Sequence, residues 1–357
     1  MASVAQPRVR AYWGPDLTTL SWLPRVLLAE IPAARPASRV QFLDAARGLA
    51  IILVVIGHVV ARELPAGNYW YAYLNDVIYR FHMPLFMVLT GMSFALSLPR
   101  LSSWPEVAAF SAKRAERLLV PYVAFGVLIL AGKLAAAHFM HVDNPAHGDV
   151  GDVFRLLLMP VESVAQFLWF IYVLCVYLLA IPALFRLIGR RPMVLLLAGL
   201  ALNLALWPKL FMLDQVVYYL PFFAGGMALW MCREHWERAG VVALGLATAL
   251  FVALAFSLAA PKWLAGTLAV LPVLWAMRRL PAAWQDRLAW IGRASLTIYL
   301  VNTIAIGLTK GLFLRVLPWD GMNFLLYFPL LALAGVALPM LVKRALAPHS
   351  QLVARYL

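Results

Sequence analysis

Apolar runs long enough to cross a membrane recur along almost the whole of this 357-residue chain. A hydrocarbon core about 30 Å thick takes about 20 apolar residues of helix, and ten such stretches can be placed. They lie near residues 46–63, 76–98, 117–138, 164–187, 192–208, 214–231, 239–258, 262–278, 290–314 and 321–345. Of all residues, 64% are hydrophobic and 13% are charged, whereas soluble domains are about a quarter charged. The sequence therefore predicts an all-α fold, a polytopic membrane bundle of about ten transmembrane helices.

Positive charge alternates between the two sides of these stretches. Of the 30 lysines and arginines, 21 lie in the N-terminal segment, in every second connection or after the last stretch. Cytoplasmic segments carry the excess of such residues, so both termini are expected in the cytoplasm. We divide the chain into a basic cytoplasmic tail at 1–40, a membrane domain at 41–346 and a short cytoplasmic tail at 347–357. The net charge of +14 then reflects membrane orientation, and nucleic-acid binding is not expected.

Two ionisable side chains occur within the first apolar stretch. His58 follows Arg47 by eleven residues, a rotation of about 1100° on an α-helix, so the two share one face about 16 Å apart along the axis. A histidine there can act as a general base, and an arginine can bind a phosphate or a carboxylate. The alternative is that Arg47 extends to the interface and that His58 bonds only a neighbouring helix.

The second stretch begins with three ionisable residues, Asp76, Arg80 and His82. Because this helix runs in the opposite direction, His82 is expected at a depth similar to that of His58. Ionisable groups inside a membrane are costly unless they face a water-filled cavity, so the two histidines indicate a functional site. For Arg80, a role as an interfacial anchor is equally consistent with the pattern.

Two further groups each have two interpretations. Arg114 and Arg117, at the start of the third stretch, can hold phosphates or only orient a helix in the membrane. Trp169 and Tyr172, in the fourth stretch, can stack on a sugar ring or belong to an interfacial aromatic belt.

A polar stripe crosses the ninth stretch, where Ser295, Tyr299 and Asn302 lie four and three residues apart and share a helix face. Such a stripe faces the interior of a bundle, either at a site or where small polar residues join helices. The two cysteines, Cys175 and Cys232, lie within or at the end of apolar stretches without the spacing of a metal site. They are expected to be packing residues, and no metal is expected.

Taken together, these elements resemble the family-three membrane acyltransferases. The resemblance is carried first by Arg47 and His58 within residues 42–58, and by the His-Met-Pro-Leu-Phe run at 82–86 with Gly91. Further elements lie at 114–121, 168–170, 222–225 and 292–302. The likeness extends from about residue 40 to 345.

This resemblance implies a bacterial inner-membrane enzyme that transfers an acyl group, commonly acetyl, from cytoplasmic acetyl-CoA to a hydroxyl of a cell-envelope or exported polysaccharide or glycolipid. Besides membrane lipids, polysaccharide-biosynthesis proteins are expected as partners. With the resemblance, we assign catalysis to His58, Arg47 and His82, donor binding to Arg47, Arg114 and Arg117, and acceptor binding to Asp76, Arg80, Trp169, Tyr172 and Asn302.

One position departs from the family pattern. Many relatives have histidine after the Tyr-Leu element of the ninth stretch, whereas this chain has Asn302. An amide does not exchange protons at ordinary pH, so only a positioning role is expected there.

A secondary transporter or flippase of a sugar or lipid-linked substrate is the alternative function. Its proton relay would use His58, His82 and Asp76 in the same buried positions. No internal repeat is visible in the sequence, which weakens this alternative. Binding or hydrolysis of acetyl-CoA by the purified protein would separate the two functions.

Overall fold

The computed structural model describes residues 28–31, 40–61, 63–138, 145–238, 240–257 and 260–357. Within these residues the chain is helical and has no β-strand, so the predicted all-α membrane bundle is confirmed. The α-helices, in chain order, are α1 (Gln41–His58), α2 (Tyr69–Ser97), α3 (Trp104–Ala136), α4 (Val150–Leu158), α5 (Trp169–Ile188), α6 (Pro192–Leu202), α7 (Leu213–Met231), α8 (Arg233–Glu237), α9 (Val241–Ser257), α10 (Lys262–Arg279), α11 (Ala282–Arg293), α12 (Ser295–Phe313), α13 (Phe324–Leu346) and α14 (Gln351–Tyr356). Most of the predicted N-terminal tail lies outside the described residues.

Each of the ten predicted stretches overlaps at least one of these helices, and seven of the described helices are long and apolar enough to cross a membrane. The seven are α1, α2, α3, α12 and α13, together with α5 and α7 when each is extended by a short preceding turn. The helices α6 and α9 are apolar but have only 11 and 17 residues. The helix α10 has 18 residues, three of them basic.

Three boundaries differ from the predicted ones. His58 is the last residue of α1 rather than an interior one. The stretch at 290–314 is two helices, α11 and α12, because Ala294 leaves the helical conformation between them. The helix α6 ends before Asn203, whose side-chain amide donates to two backbone carbonyls, one in α6 and one in α7. Each difference comes from a local backbone event that hydropathy does not detect.

The C-terminal segment, predicted as a tail, folds back onto the bundle. Its helix α14 places Arg355 2.7 Å from the Glu116 carboxylate of α3. The carbonyl of Leu357 accepts hydrogen bonds from Thr297 of α12 and from Lys343 of α13. The segment therefore joins three helices at one end of the bundle.

The helix α1 is central, since it contacts α2, α10, α11, α12 and α13. It packs most extensively on α11, and the two cross at a pair of glycines. A Cβ at Gly48 would lie 2.0 Å from the carbonyl oxygen of Leu288, and one at Gly292 would lie 1.9 Å from that of Asp44. Small residues allow helix backbones to approach this closely, so the crossing fixes the position of α1.

A second crossing of the same kind joins α2 to α7. A Cβ at Gly91 would lie 2.0 Å from the carbonyl oxygen of Phe223, and one at Gly226 would lie 2.1 Å from that of Val88. The neighbouring Gly225, in contrast, has open space at its Cβ position. The two crossings together hold α1 and α2, the helices that carry His58 and His82.

The substitution Gly226→Ala is expected to destabilise the protein, because the added methyl group would overlap the Val88 carbonyl. Overpacking of this kind costs about 1–3 kcal/mol. The matched control is Gly225→Ala, which should be neutral or slightly stabilising because alanine favours a helix over glycine by about 1 kcal/mol. Thermal unfolding of both variants in detergent measures the difference. Equal midpoints for the two variants would contradict the close crossing.

Candidate active site

His58 and Asn302 meet at the end of α1. The Nδ1 atom of His58 lies 2.8 Å from Oδ1 of Asn302 in α12. Asn302 is fully buried, whereas His58 is partly exposed. The two residues are 244 positions apart in the chain, and the contact depends on the packing of α12 against α1.

The surroundings of Asn302 determine which atom donates in this contact. Its Nδ2 donates two hydrogen bonds, to the carbonyl oxygens of Ile298 at 2.8 Å and Tyr299 at 2.7 Å. Its Oδ1 therefore accepts, and Nδ1 of His58 donates. In a neutral imidazole one ring nitrogen donates and the other accepts, so Nε2 of His58 is left to take a proton from another molecule.

Two aromatic side chains pack beside His58. The ring of Phe167 lies 6.3 Å from the imidazole, and the ring of Tyr299 lies 6.2 Å from that of Phe167. The hydroxyl of Tyr299 donates to the Phe167 carbonyl, so Tyr299 holds the short turn Gln166–Leu168 against the histidine. The polar stripe of the ninth stretch includes Tyr299, but no sequence signal indicates Phe167.

His82 is buried, with 4% of its surface exposed. Its Nδ1 lies 2.8 Å from the carbonyl oxygen of Ile78 and therefore also donates. Its ring lies 4.8 Å from that of Tyr79, and the Tyr79 hydroxyl donates to the Gly57 carbonyl at 3.4 Å. Tyr79 thus links His82 to the residue that precedes His58. Its position one turn before His82 is the signal that could have identified it.

Arg47 is held apart from His58 and is already paired. Its Nη1 lies 3.1 Å from Oδ1 of Asp44, and its Nη2 donates to the Ser93 hydroxyl. Both charged side chains are mostly buried, so the carboxylate compensates the guanidinium charge. Arg47 and His58 are about 16 Å apart along α1, and the contacts of Arg47 are with Asp44 and Ser93 rather than with His58.

Two cavities lie beside the first turns of α1. The mouth cavity, of about 280 Å³, lies where α1 begins and is lined by Arg293 among others. The inner cavity, of about 130 Å³, is lined by Thr90 and Tyr299 among others. Arg47 lines both. Since Tyr299 lies one helical turn before the asparagine that bonds His58, the two cavities lead from one end of the bundle towards the histidine.

The predicted donor-binding residues of α3 lie at the same end. Arg114 donates to the carbonyl of Ser97 at 3.3 Å, and the Ser97 hydroxyl donates to the Ser93 carbonyl at 2.6 Å. Arg114 and Arg47 therefore contact successive turns of α2. Arg117 is exposed on the surface of α3.

The predicted acceptor-binding residues are spread over three helices. In α2, Asp76 is exposed and Arg80 donates to a backbone carbonyl between α9 and α10. In α5, Trp169 and Tyr172 pack against aromatic rings of α7 and α3. Asn302 instead bonds the histidine of α1, and both of its N–H groups are occupied by backbone carbonyls.

A family model described as an acyltransferase domain matches residues 40–344 of the chain. The chain belongs to the family-three acyltransferases. This acyltransferase is also similar to two curated relatives, both named nodulation protein NolL. The one from Sinorhizobium fredii (strain NBRC 101917 / NGR234) is 33% identical over 188 residues, which are 51% of this chain and 46% of that protein. The one from Mesorhizobium japonicum (strain LMG 29417 / CECT 9101 / MAFF 303099) is 35% identical over 94 residues, which are 26% of this chain and 24% of that protein.

The matched part of the acyltransferase thus spans less than half the length of either curated relative. No solved structure matches the chain significantly.

The structure predicts the position of the His58 proton in this acyltransferase. In protein labelled with ¹⁵N at histidine, the wild type is expected to show a hydrogen on Nδ1 of His58, because Oδ1 of Asn302 can only accept. The substitution Asn302→Leu removes that acceptor and should allow the hydrogen to appear on Nε2. The isosteric Asn302→Asp keeps an acceptor oxygen and should keep the hydrogen on Nδ1.

Nitrogen NMR of the purified protein measures the tautomer, and the His58 signal is assigned by its loss in His58→Gln. A wild-type His58 with its hydrogen on Nε2 would contradict the assignment of donor and acceptor.

Proposed function

We propose that this protein is a membrane-embedded O-acyltransferase that transfers an acetyl group from cytoplasmic acetyl-CoA to a hydroxyl of a cell-envelope or exported polysaccharide or glycolipid. The observation that carries the proposal is the hydrogen bond between His58 and Asn302, which leaves Nε2 of His58 to accept a proton. The inner cavity extends to Tyr299, one helical turn before Asn302, and His58 itself lines neither cavity. A donor that enters at the mouth can therefore approach the base.

In the proposed reaction, the acceptor hydroxyl oxygen attacks the carbonyl carbon of the acetyl thioester. Its proton passes to Nε2 of His58 as the C–O bond forms, which makes the oxygen a better nucleophile. The C–S bond then breaks, and the leaving thiolate takes the proton from the imidazolium. Asn302 keeps the ring oriented through both steps, because its Oδ1 accepts the Nδ1 hydrogen in the neutral and in the charged form.

The remaining site residues are assigned to binding. Arg47 holds the donor between the two cavities through the N–H groups that Asp44 and Ser93 leave unused. His82 offers a second accepting nitrogen near the same end of α1, beside Tyr79, and we assign it to the orientation of the acceptor hydroxyl.

The proposed setting is the inner membrane of a bacterium, which agrees with the bacterial origin of the two relatives. The termini would lie in the cytoplasm, where acetyl-CoA is available to the mouth cavity. Polysaccharide-biosynthesis proteins would supply the acceptor.

His58→Ala is expected to lower acetyl transfer by about 100-fold or more, since general acid–base catalysis contributes about 10²–10⁴-fold. Membranes that contain each protein are incubated with radiolabelled acetyl-CoA, and the label in envelope glycans is counted. The control is His349→Ala, because His349 is exposed near the C-terminal end of α13 and should be dispensable. Immunoblots and detergent gel filtration establish that both variants are folded.

Unreduced labelling by folded His58→Ala would reject histidine as the base. If no acyl-CoA labels any glycan fraction and the protein instead drives proton-coupled uptake of a solute, the transporter function would replace the enzyme.

A further inference from the structure

Arg293 stands at the entrance of the mouth cavity. It is the last residue of α11, its side chain is exposed, and it lines the cavity. The preceding Gly292 packs against the carbonyl of Asp44 in the first turn of α1. The glycine crossing therefore places a guanidinium at the end of the bundle where α1 begins, on the route into the cavity.

Arg47 lies deeper on the same route and has a different electrostatic environment. Its guanidinium is 26% exposed and is paired with Asp44, which is 12% exposed. A phosphate brought against this pair would lose its water and would meet the Asp44 carboxylate, and both effects are unfavourable. Arg47 is therefore suited to an uncharged part of a ligand, through hydrogen bonds to carbonyl oxygens.

The volumes of the cavities limit what can enter. The mouth cavity of about 280 Å³ and the inner cavity of about 130 Å³ hold about nine and four waters at roughly 30 Å³ each. Pockets for drug-sized ligands run from about 300 to 1,000 Å³, so neither cavity alone reaches the volume usual for a ligand as large as a nucleotide with its phosphates. A slender thioester arm does fit.

The length of the thioester arm agrees with phosphates that lie outside the cavities and a thioester that lies inside them. The chain between the pyrophosphate and the sulfur of coenzyme A has the span of about four extended residues, roughly 14 Å. With the phosphates at Arg293, beside the first turn of α1, the thioester would reach the inner cavity near Tyr299. This places the acetyl group in the inner cavity beside Tyr299, one helical turn before Asn302.

We propose that Arg293 binds the phosphate groups of the coenzyme A thioester outside the mouth cavity, and that Arg47 contacts only the uncharged arm. Arginine suits this role because its planar guanidinium donates two parallel hydrogen bonds to a phosphate. The proposal rests on the acyltransferase function proposed above. In the sequence, Arg293 is one of the positive charges that indicate membrane orientation. The proposal gives it a role in binding the donor.

The test uses two donors that differ only in the nucleotide and phosphates, acetyl-CoA and S-acetylpantetheine. With Arg293→Ala, the KM for acetyl-CoA is expected to rise about ten- to a hundredfold, the range for losing hydrogen bonds to a charged group. The kcat and the KM for S-acetylpantetheine should be unchanged. With Arg47→Ala, the use of both donors should fall together.

The matched control is Arg287→Ala. Arg287 lies on the same helix and is also exposed, but its guanidinium lies over the Trp284 ring at 5.0 Å. This variant should use both donors as the wild type does. If Arg293→Ala impairs both donors equally, or neither, the proposal is rejected.

Binding measurements separate this proposal from the proposed function. Calorimetry with coenzyme A alone should show weaker binding to Arg293→Ala than to the wild type by the same factor, with pantetheine binding unchanged. A wild type that binds coenzyme A in this way but transfers no acetyl group would refute the acyltransferase function and support the phosphate site. Equal coenzyme A binding by wild type and Arg293→Ala would refute the phosphate site at any level of activity.

Discussion

The glycine crossing between α1 and α11 sets the positions of the groups that we propose to act on the donor. Because Gly48 and Gly292 have no Cβ, the two backbones approach until a carbonyl oxygen of each helix lies against a glycine of the other. That approach brings Arg293 to the cavity that Arg47 also lines. It also fixes where α12 begins, and α12 carries Asn302, which contacts His58. The position of Arg293 at the mouth cavity and the contact between Asn302 and His58 therefore both depend on the packing of α1 against α11.

The polar groups of the candidate site are compensated by neighbours about one helical turn away, and these bonds determine which of their atoms remain available. The amide of Asn302 donates to carbonyls of its own helix, so its oxygen remains for His58. The charge of the Arg47 guanidinium is neutralised by Asp44, one turn away on α1. The ion pair therefore presents no net charge to the cavities. In a low-dielectric interior an uncompensated group would be costly. The same bonds that stabilise the fold thus fix which atoms can react.

The helices, and the shared face of Arg47 and His58, could be predicted because hydropathy and helical periodicity act within one segment. The partner of His58 could not be predicted, since Asn302 is 244 residues away and only packing joins them. The break at Ala294 is not predicted, because the polar residues on either side of it, Arg293 and Ser295, interrupt the apolar stretch too briefly to show that one helix ends and another begins. Arg293 resembles the other positive charges between the predicted apolar stretches, and only the helix crossing distinguishes it.

The short helix α6 has a consequence for the membrane itself. Its eleven residues span about 16 Å, roughly half of a hydrocarbon core about 30 Å thick. The residues that follow it, Leu204 and Leu206, are almost fully exposed and non-helical, and the N–H group of Leu204 donates back to the Ala201 carbonyl. A bilayer meets a short apolar helix by local thinning. The flank of the bundle at α6 is therefore where the surrounding membrane is expected to be thinnest.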